Sequence, residues 1–421
     1  MTTTSPFRSS RANLVSHEAL TTEEDQFPDG GLRAWLVVLG VRHSLLSVGY
    51  ALSWGAYQEY YQESILKDQS PSSIAWIGSI QYALLFLPGL AVGHLFDLGY
   101  FHLLFFSSST LLVVAAFLAA QCTEYWQLLL CQGFGVGLGC GGVFGPTYAI
   151  IGHWFKKKRG LALGYLAVGA SLGGICIPIA VRNLIPKVGF PWTMRIIGFI
   201  LLLVLGVSNL TMKRRLPPAP VGGGLFNLAV FKSVAYTIYC ISGFLTFLGI
   251  YTLLTYINVS ATQVGASPEL AFYYVAFANA GSLFGRWAGG ILMDRIGPLN
   301  TSIPFVVFSA VLTYAWPFSR STGSLVAIAI VYGFCSGAYI AIMTSPVMNL
   351  GGDDDVGRRI GMFMTILACG SLLGPPISGK IEVVTGGFEV VGLYAGTMVL
   401  AGAVCMVVAR YLVSRKWTAK V

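Results

Sequence analysis

The sequence predicts an all-α polytopic membrane protein, with twelve transmembrane helices arranged as two pseudo-symmetric six-helix halves. Three observations carry that expectation. Of 421 residues, 55% are hydrophobic and 10% are charged, where soluble proteins carry about 25% charged residues; the mean hydropathy is +0.72. Apolar stretches of about twenty residues recur from end to end, the length at which a helix crosses about 30 Å of hydrocarbon. The two halves of the chain also repeat short motifs at nearly constant spacing.

Residues 1–32, rich in Ser, Thr, Glu and Arg, read as a disordered cytosolic tail. They lack the hydrophobic core of a signal peptide. The N-terminal half, 33–212, holds helices predicted at 34–58, 73–95, 102–121, 126–152, 160–181 and 192–212. A cytosolic linker at 213–231 contains "KRRLPPAPVGGG", whose Pro and Gly oppose helix. The C-terminal half, 232–414, holds helices at 232–257, 270–292, 299–318, 322–346, 360–380 and 388–413. A cytosolic tail, 415–421, closes the chain.

Basic residues fall on one side of this count. Lys156, Lys157, Lys158 and Arg159 fill loop 4–5; Lys213, Arg214 and Arg215 open the linker; Arg358 and Arg359 are assigned to loop 10–11; Arg415, Lys416 and Lys420 end the chain. The opposite loops offer little beyond Lys67, Arg182, Lys187 and Arg320. The positive-inside rule therefore puts both termini in the cytosol.

The internal repeat shows in two places. "GHLFDLG" (93–99) follows helix 2 and "GILMDRIG" (290–297) follows helix 8, both holding G-x-x-x-D at an offset of 197. After loop 4–5, Gly160, Gly169, Leu172 and Gly173 recur as Gly361, Gly370, Leu373 and Gly374 at an offset of 201. A duplicated six-helix unit of this kind builds transporters whose site lies between the halves near the bilayer midplane.

Several function classes are disfavoured. The net charge of +9 sits in short inter-helix loops, so it does not point to nucleic acid. The eight cysteines are scattered and form no C-x-x-C or metal-spaced cluster; they read as small packing residues. No Walker motif and no nucleophile–base pair appears, so neither a cofactor, a metal nor catalysis is expected. "CQGFGVGLGCGG" in helix 4 lacks the preceding strand of a dinucleotide site and reads as close packing through small residues. Gly169, Gly173 and Pro178 of helix 5, and Gly370, Gly374, Pro375 and Pro376 of helix 11, read likewise, as points of close approach and bending.

From about residue 28 to 413 the chain resembles the major facilitator superfamily. "PDGGLRAW" before helix 1 is similar to the D-G-G-x-x-W signature of monocarboxylate porters, and "YWQLLLCQGFGVGLGCGGVFGP" (125–146) with "WFKKKRGLALG" (154–164) resembles the fungal branch of that family. The resemblance implies transport of a small carboxylate, of riboflavin or of an exported secondary metabolite. Two departures matter. Animal-type porters carry a lysine in helix 1, where Ala51 to Trp54 stand here, and an aspartate one turn before the helix 8 arginine, where Ser282 and Leu283 stand. Proton-coupled lactate transport is associated with those two missing groups.

Within "GRWAGGILMDRIGP" (285–298), Arg286 lies eight residues before Asp294, about 12 Å along the helix axis. A charge at that depth is costly unless it faces a wet cavity or a partner. Asn279, Ser282 and Arg286 share one helix face at i, i+3, i+7. Two readings stand side by side: a guanidinium that grips a carboxylate with its planar fork, or a packing element of the gate, since many members of the superfamily keep a G-R here. Helix 1 offers a second stripe, His43, Ser47, Tyr50, Trp54 and Tyr57, with helix packing as its plain alternative. Helix 7 adds Tyr239, Ser242 and Thr246; helix 10 adds Tyr332, Ser336, Tyr339 and Met343. The resemblance makes helices 1, 7, 8 and 10 cavity-lining. It also makes Asp97 and Asp294, with the neighbouring Arg295, gating residues that cap a neighbouring helix and latch the halves.

The expected function is a secondary or facilitative transporter of an organic anion or amphipathic metabolite, working by alternating access, with protons as possible co-substrates through His43 or Glu59. An efflux pump for a fungal secondary metabolite is the alternative, and a non-transporting membrane sensor a remote one. The expected setting is the lipid bilayer, at the plasma membrane, with a small organic substrate and no nucleic acid.

Overall fold

The computed structural model describes residues 28–69, 71–215, 228–351, 355–416 and 419–420. Among the described residues ten helices are long and apolar enough to cross a membrane. One of these, Arg159–Thr211, is broken by Gly189, whose φ of 78° and ψ of 164° only glycine adopts readily. With the 29-residue helix Pro268–Ile296, twelve spans result, and no strand is found among the described residues.

We number the spans in chain order. α1 joins Gly31–Leu52, Trp54–Tyr60 and the π-helical Tyr61–Ile65; α2 joins Pro71–Phe86 and Gly89–Asp97, broken at Pro88, which lacks an N–H. α3 is Phe101–Ala119. α4 joins Tyr125–Leu128, the π-helical Leu129–Val136 and Gly137–Trp154; α5 (159–188) and α6 (190–211) flank Gly189. After a 3₁₀ turn, Leu228–Lys232, α7 joins Val234–Gly249 and Thr252–Gln263. α8 is Pro268–Ile296, α9 Pro298–Ala315, α10 Thr322–Ile342 with Ser345–Asn349, α11 Val356–Thr385 and α12 Glu389–Val413.

Most spans run longer than their sequence boundaries. α5 passes through Arg182 and Lys187, assigned to a loop above, and through Pro178 and Pro186; prolines persist inside spanning helices because neighbours re-satisfy the freed carbonyls. α11 begins at Val356, so Arg358 and Arg359 are no loop residues: they lie buried in its first turns, and Arg359 pairs with Asp355. The chain end also packs back on the helices. Arg410 donates to Asn300 Oδ1 at 2.7 Å and to the Ser414 and Lys416 carbonyls; Lys420 Nζ donates to the Asp294 carbonyl at 2.5 Å.

The molecule's perimeter is apolar, with Leu103, Phe106, Leu203, Phe308 and Val383 exposed, as a lipid-facing surface requires. The first six helices meet the last six along two seams, α5 against α8 and α2 against α11.

Candidate functional site at the seam between the halves

At the end of the molecule that carries the basic loops, two aspartates reach across the seams. Asp294, at the end of α8, accepts from the Gly160 and Leu161 amides that open α5, at 2.7 and 2.8 Å. Asp97, at the end of α2, accepts from the Gly357 and Arg358 amides that open α11, at 3.0 and 2.7 Å. The first amides of a helix have no intrahelical acceptor, and a carboxylate there is further favoured by the helix dipole. Arg295, next to Asp294, is exposed.

Glycines let the backbones approach. A Cβ at Gly160 would strike the Gly290 carbonyl, and one at Gly357 the Gly93 carbonyl; Gly164 abuts the Arg286 carbonyl as Gly361 abuts that of Gly89. Every one of these contacts maps onto its counterpart by a single step of 197 residues. The sequence match of Gly160 to Gly361, at 201, is therefore one helical turn out of register, and Gly160 corresponds to Gly357. The rest of that match stands: Gly169 and Gly173 abut the Arg42 and Leu46 carbonyls of α1 as Gly370 and Gly374 abut the Phe244 and Leu248 carbonyls of α7.

The symmetry fails at one pair. Where the α2–α11 seam has Gly89 against Met364, the α5–α8 seam has Arg286 against Ala167. Arg286 is 5% exposed; its Nη1 donates to the Ala167 carbonyl at 3.0 Å and its Nε to Ser282 Oγ at 2.9 Å. Ser171 Oγ meets Ser282 Oγ at 3.3 Å, and Asn279 Nδ2 donates to the Gly174 carbonyl at 3.3 Å. Asn279, Ser282 and Arg286 thus share one face, and that face meets α5. No carboxylate among the described residues pairs with Arg286. Instead the guanidinium stands within electrostatic reach of the Tyr148 and Tyr251 hydroxyls.

Aromatic rings from both halves link Tyr148 to Tyr251. Phe86 packs edge-on against Phe144 and Phe247, with centroids 5.5 Å apart in each case; Phe144 meets Tyr148 at 4.8 Å, Phe247 meets Tyr251 at 5.5 Å, and Tyr82 stacks on Tyr251 at 6.4 Å. The buried hydroxyls of Tyr148 and Tyr339 have no hydrogen-bond partner among the described residues. A buried cation, two open phenols and apolar ring faces form a chemistry suited to an aromatic anion.

The other sequence candidates are distributed differently. Tyr239 donates to the Met343 carbonyl at 2.6 Å and stacks on Phe363; Tyr332 donates to the Ile250 carbonyl at 2.5 Å. Tyr50 donates to Gln132 Oε1 at 2.9 Å and meets Tyr57 edge-on at 5.7 Å; Trp54 donates to Gln58. His43 is not drawn in: its Nδ1 lies 2.7 Å from the Leu39 carbonyl of its own helix, on a face shared with Leu39 and Leu46 that is only partly buried. The side chain of Glu59 lies outside the described residues.

Sequence reasoning missed Tyr148, Tyr251, Gln81 and Gln132. A lone glutamine within an apolar span is a usable signal; tyrosines in an aromatic-rich chain are not. The role of Asp29 in "PDGGLRAW" was also missed. Its Oδ1 accepts from the Lys156, Lys157 and Lys158 amides at 2.8, 2.7 and 3.1 Å, pinning the start of α1 to loop 4–5.

Twelve apolar spans, two seams related by one step and a cation at the point where symmetry breaks define a polytopic membrane protein. The profile of the Major Facilitator Superfamily matches residues 43–350 and 241–419, and the chain belongs to that superfamily of membrane transporters. It is 38% identical over 393 residues to the "MFS-type transporter 1" of Ophiocordyceps sp. (strain BCC 1869), covering 92% of this chain and 87% of that one. It is 35% identical over 399 residues to the aspyridones efflux protein apdF of Emericella nidulans, covering 94% and 81%, and 35% identical to the agnestins efflux protein AgnL12 of Paecilomyces divaricatus, covering 94% and 92%. The fold is shared with the human organic anion transporter MFSD10 (TM-score 0.70, 17% identity, covering 90% and 100%). It is also shared with the E. coli fucose:proton symporter FucP (TM-score 0.71, 15% identity, covering 89% and 98%).

Proposed function

We propose that this transporter exports an amphipathic aromatic metabolite carrying an acidic or enolic group, from the cytosol across the plasma membrane. The observation that carries the proposal is Arg286: a buried guanidinium at the seam, bonded to Ala167 and Ser282 and opposed by no described carboxylate. The efflux roles named for the aspyridones and agnestins proteins support the direction and the class of cargo. The monocarboxylate-porter resemblance is narrower. It bears on the acidic group and does not require a small carboxylate. In this reading residues 33–212 and 232–414 rock against each other, with both termini and the basic loops in the cytosol. Asp97, Asp294 and Arg295 form the cytosolic gate. Asn279, Ser282, Arg286, Tyr239, Tyr332 and Tyr339 line the central site, and Tyr50, Trp54 and Tyr57 extend it into the N-terminal half.

A second reading rests on the Arg286–Ala167 bond, which joins the halves. Cargo anion and Ala167 carbonyl would compete for the same Nη1, so binding would release a lock as it fills the site.

The test uses inside-out vesicles from cells making the protein, incubated with a fungal metabolite extract and read by mass spectrometry. Acidic aromatic compounds are expected to accumulate, and Arg286→Gln to lose them while keeping some neutral flux. Accumulation of neutral compounds alone would overturn the anion reading; no accumulation of any compound would overturn export.

A further inference from the structure

We infer that α1, α2 and α4 hold a second, uncharged subsite, which takes a neutral hydrogen-bonding group of the cargo such as a carboxamide or lactam. The inference rests on the transport reading above and deepens it.

Two π-helical segments occur among the described residues, Tyr61–Ile65 in α1 and Leu129–Val136 in α4. Such segments are rare, cost regular hydrogen bonding and gather at functional sites. One carries Tyr61 and the other Gln132, and both residues belong to one cluster. Tyr50 donates to Gln132 Oε1 at 2.9 Å, its ring meets Tyr57 at 5.7 Å, and Tyr57 meets Tyr61 at 6.3 Å. Gln81 of α2 joins through its Nε2, which donates to the Ala51 carbonyl at 2.7 Å.

Within this cluster four polar atoms have no hydrogen-bond partner among the described residues: Tyr57 Oη, Tyr61 Oη, Gln81 Oε1 and Gln132 Nε2. Their residues are all 0% exposed. Leaving buried polar groups unmatched is destabilising, and Phe or Leu would pack the same space, so packing alone does not account for them. The bonds to Tyr50 and Ala51 orient both amides, so Gln81 presents an acceptor and Gln132 a donor. Two phenols complete the set. One acceptor among several donors, with no charge, matches an amide: its carbonyl takes the donors and its N–H meets Gln81. Continuity with the central site runs through Tyr82, next to Gln81, whose ring stacks on Tyr251.

The test compares two probes in the same vesicles, 6-carbamoyl-2-naphthoate and 6-methoxycarbonyl-2-naphthoate, which share the carboxylate and differ in the neutral end. The parent should take up the carbamoyl probe with the higher affinity. Tyr57→Phe and Tyr61→Phe delete only unpartnered oxygens. Each should lower the preference for the carbamoyl over the ester probe about tenfold and leave the thermal unfolding temperature equal or higher. Transport of both probes with no preference in the parent, or a preference unchanged in both variants, would overturn the subsite and leave anion export standing. A parent that carries neither probe would overturn both readings.

Discussion

Asp294 holds the amides of Gly160 and Leu161 in the same way that Asp97 holds those of Gly357 and Arg358. Each aspartate ends a helix of one half and caps a helix of the other, so the end of the molecule with the basic loops is closed by two copies of one device. A cap of this kind is worth about 0.5–2 kcal/mol.

Asp294→Ala and Asp97→Ala should each shift the balance of states by roughly 2- to 30-fold, from about 0.5–2 kcal/mol lost per cap. The double variant should shift it further. Thiol labelling of a cysteine placed at Lys157, in membranes of both orientations, measures the opening of that end. Equal labelling in parent and double variant would remove the aspartates from the gate.

Gly290→Val places a β-branched side chain against the Gly160 carbonyl, and Gly93→Val does the same at Gly357. Each should destabilise the closed seam by about 1–3 kcal/mol, the usual cost of overpacking. Melting in detergent should fall by several degrees while Gly206→Val, in open space, leaves it unchanged.

At Arg286, lysine keeps the charge and loses the planar fork. Arg286→Lys is expected to weaken affinity for acidic cargo and partly spare turnover; Arg286→Gln should lose acidic cargo selectively. An equal loss of acidic and neutral cargo in the Gln variant, with normal folding, would assign Arg286 to the Ala167 lock alone.

Asp29→Ala leaves three loop amides without their shared acceptor. Loop 4–5 should loosen, and trypsin should cut at Lys156 to Arg159 several-fold faster than in the parent, as losing a capping side chain worth about 0.5–2 kcal/mol implies. Unchanged cleavage would mean that Asp29 does not restrain the loop.

His43 lies apart from the central cluster, its ring nitrogen on the Leu39 carbonyl. His43→Ala should therefore leave the pH profile of uptake as in the parent. A flattened profile would restore His43 as a proton carrier.

Composition and span length alone determined that this chain lives in a bilayer and crosses it about twelve times, because burial in hydrocarbon demands long apolar helices whatever their packing. The repeated G-x-x-x-D determined that the halves match, and the depth of Arg286 in an apolar helix marked it as a residue with a partner. Tertiary structure alone decided who those partners are. The register of α5 against α8 matches Gly160 to Gly357 at the same 197-residue step as the aspartates. Against α1 and α7 the 201-residue step holds, Gly169 and Gly173 meeting the Arg42 and Leu46 carbonyls as Gly370 and Gly374 meet those of Phe244 and Leu248. Folding also brought the Ala167 carbonyl to the guanidinium, put Gln132 beside Tyr50, and turned His43 back on its own helix. A helix sequence shows which residues share a face, but which face meets which depends on how closely two backbones can approach. Here glycines more than a hundred residues apart set that approach.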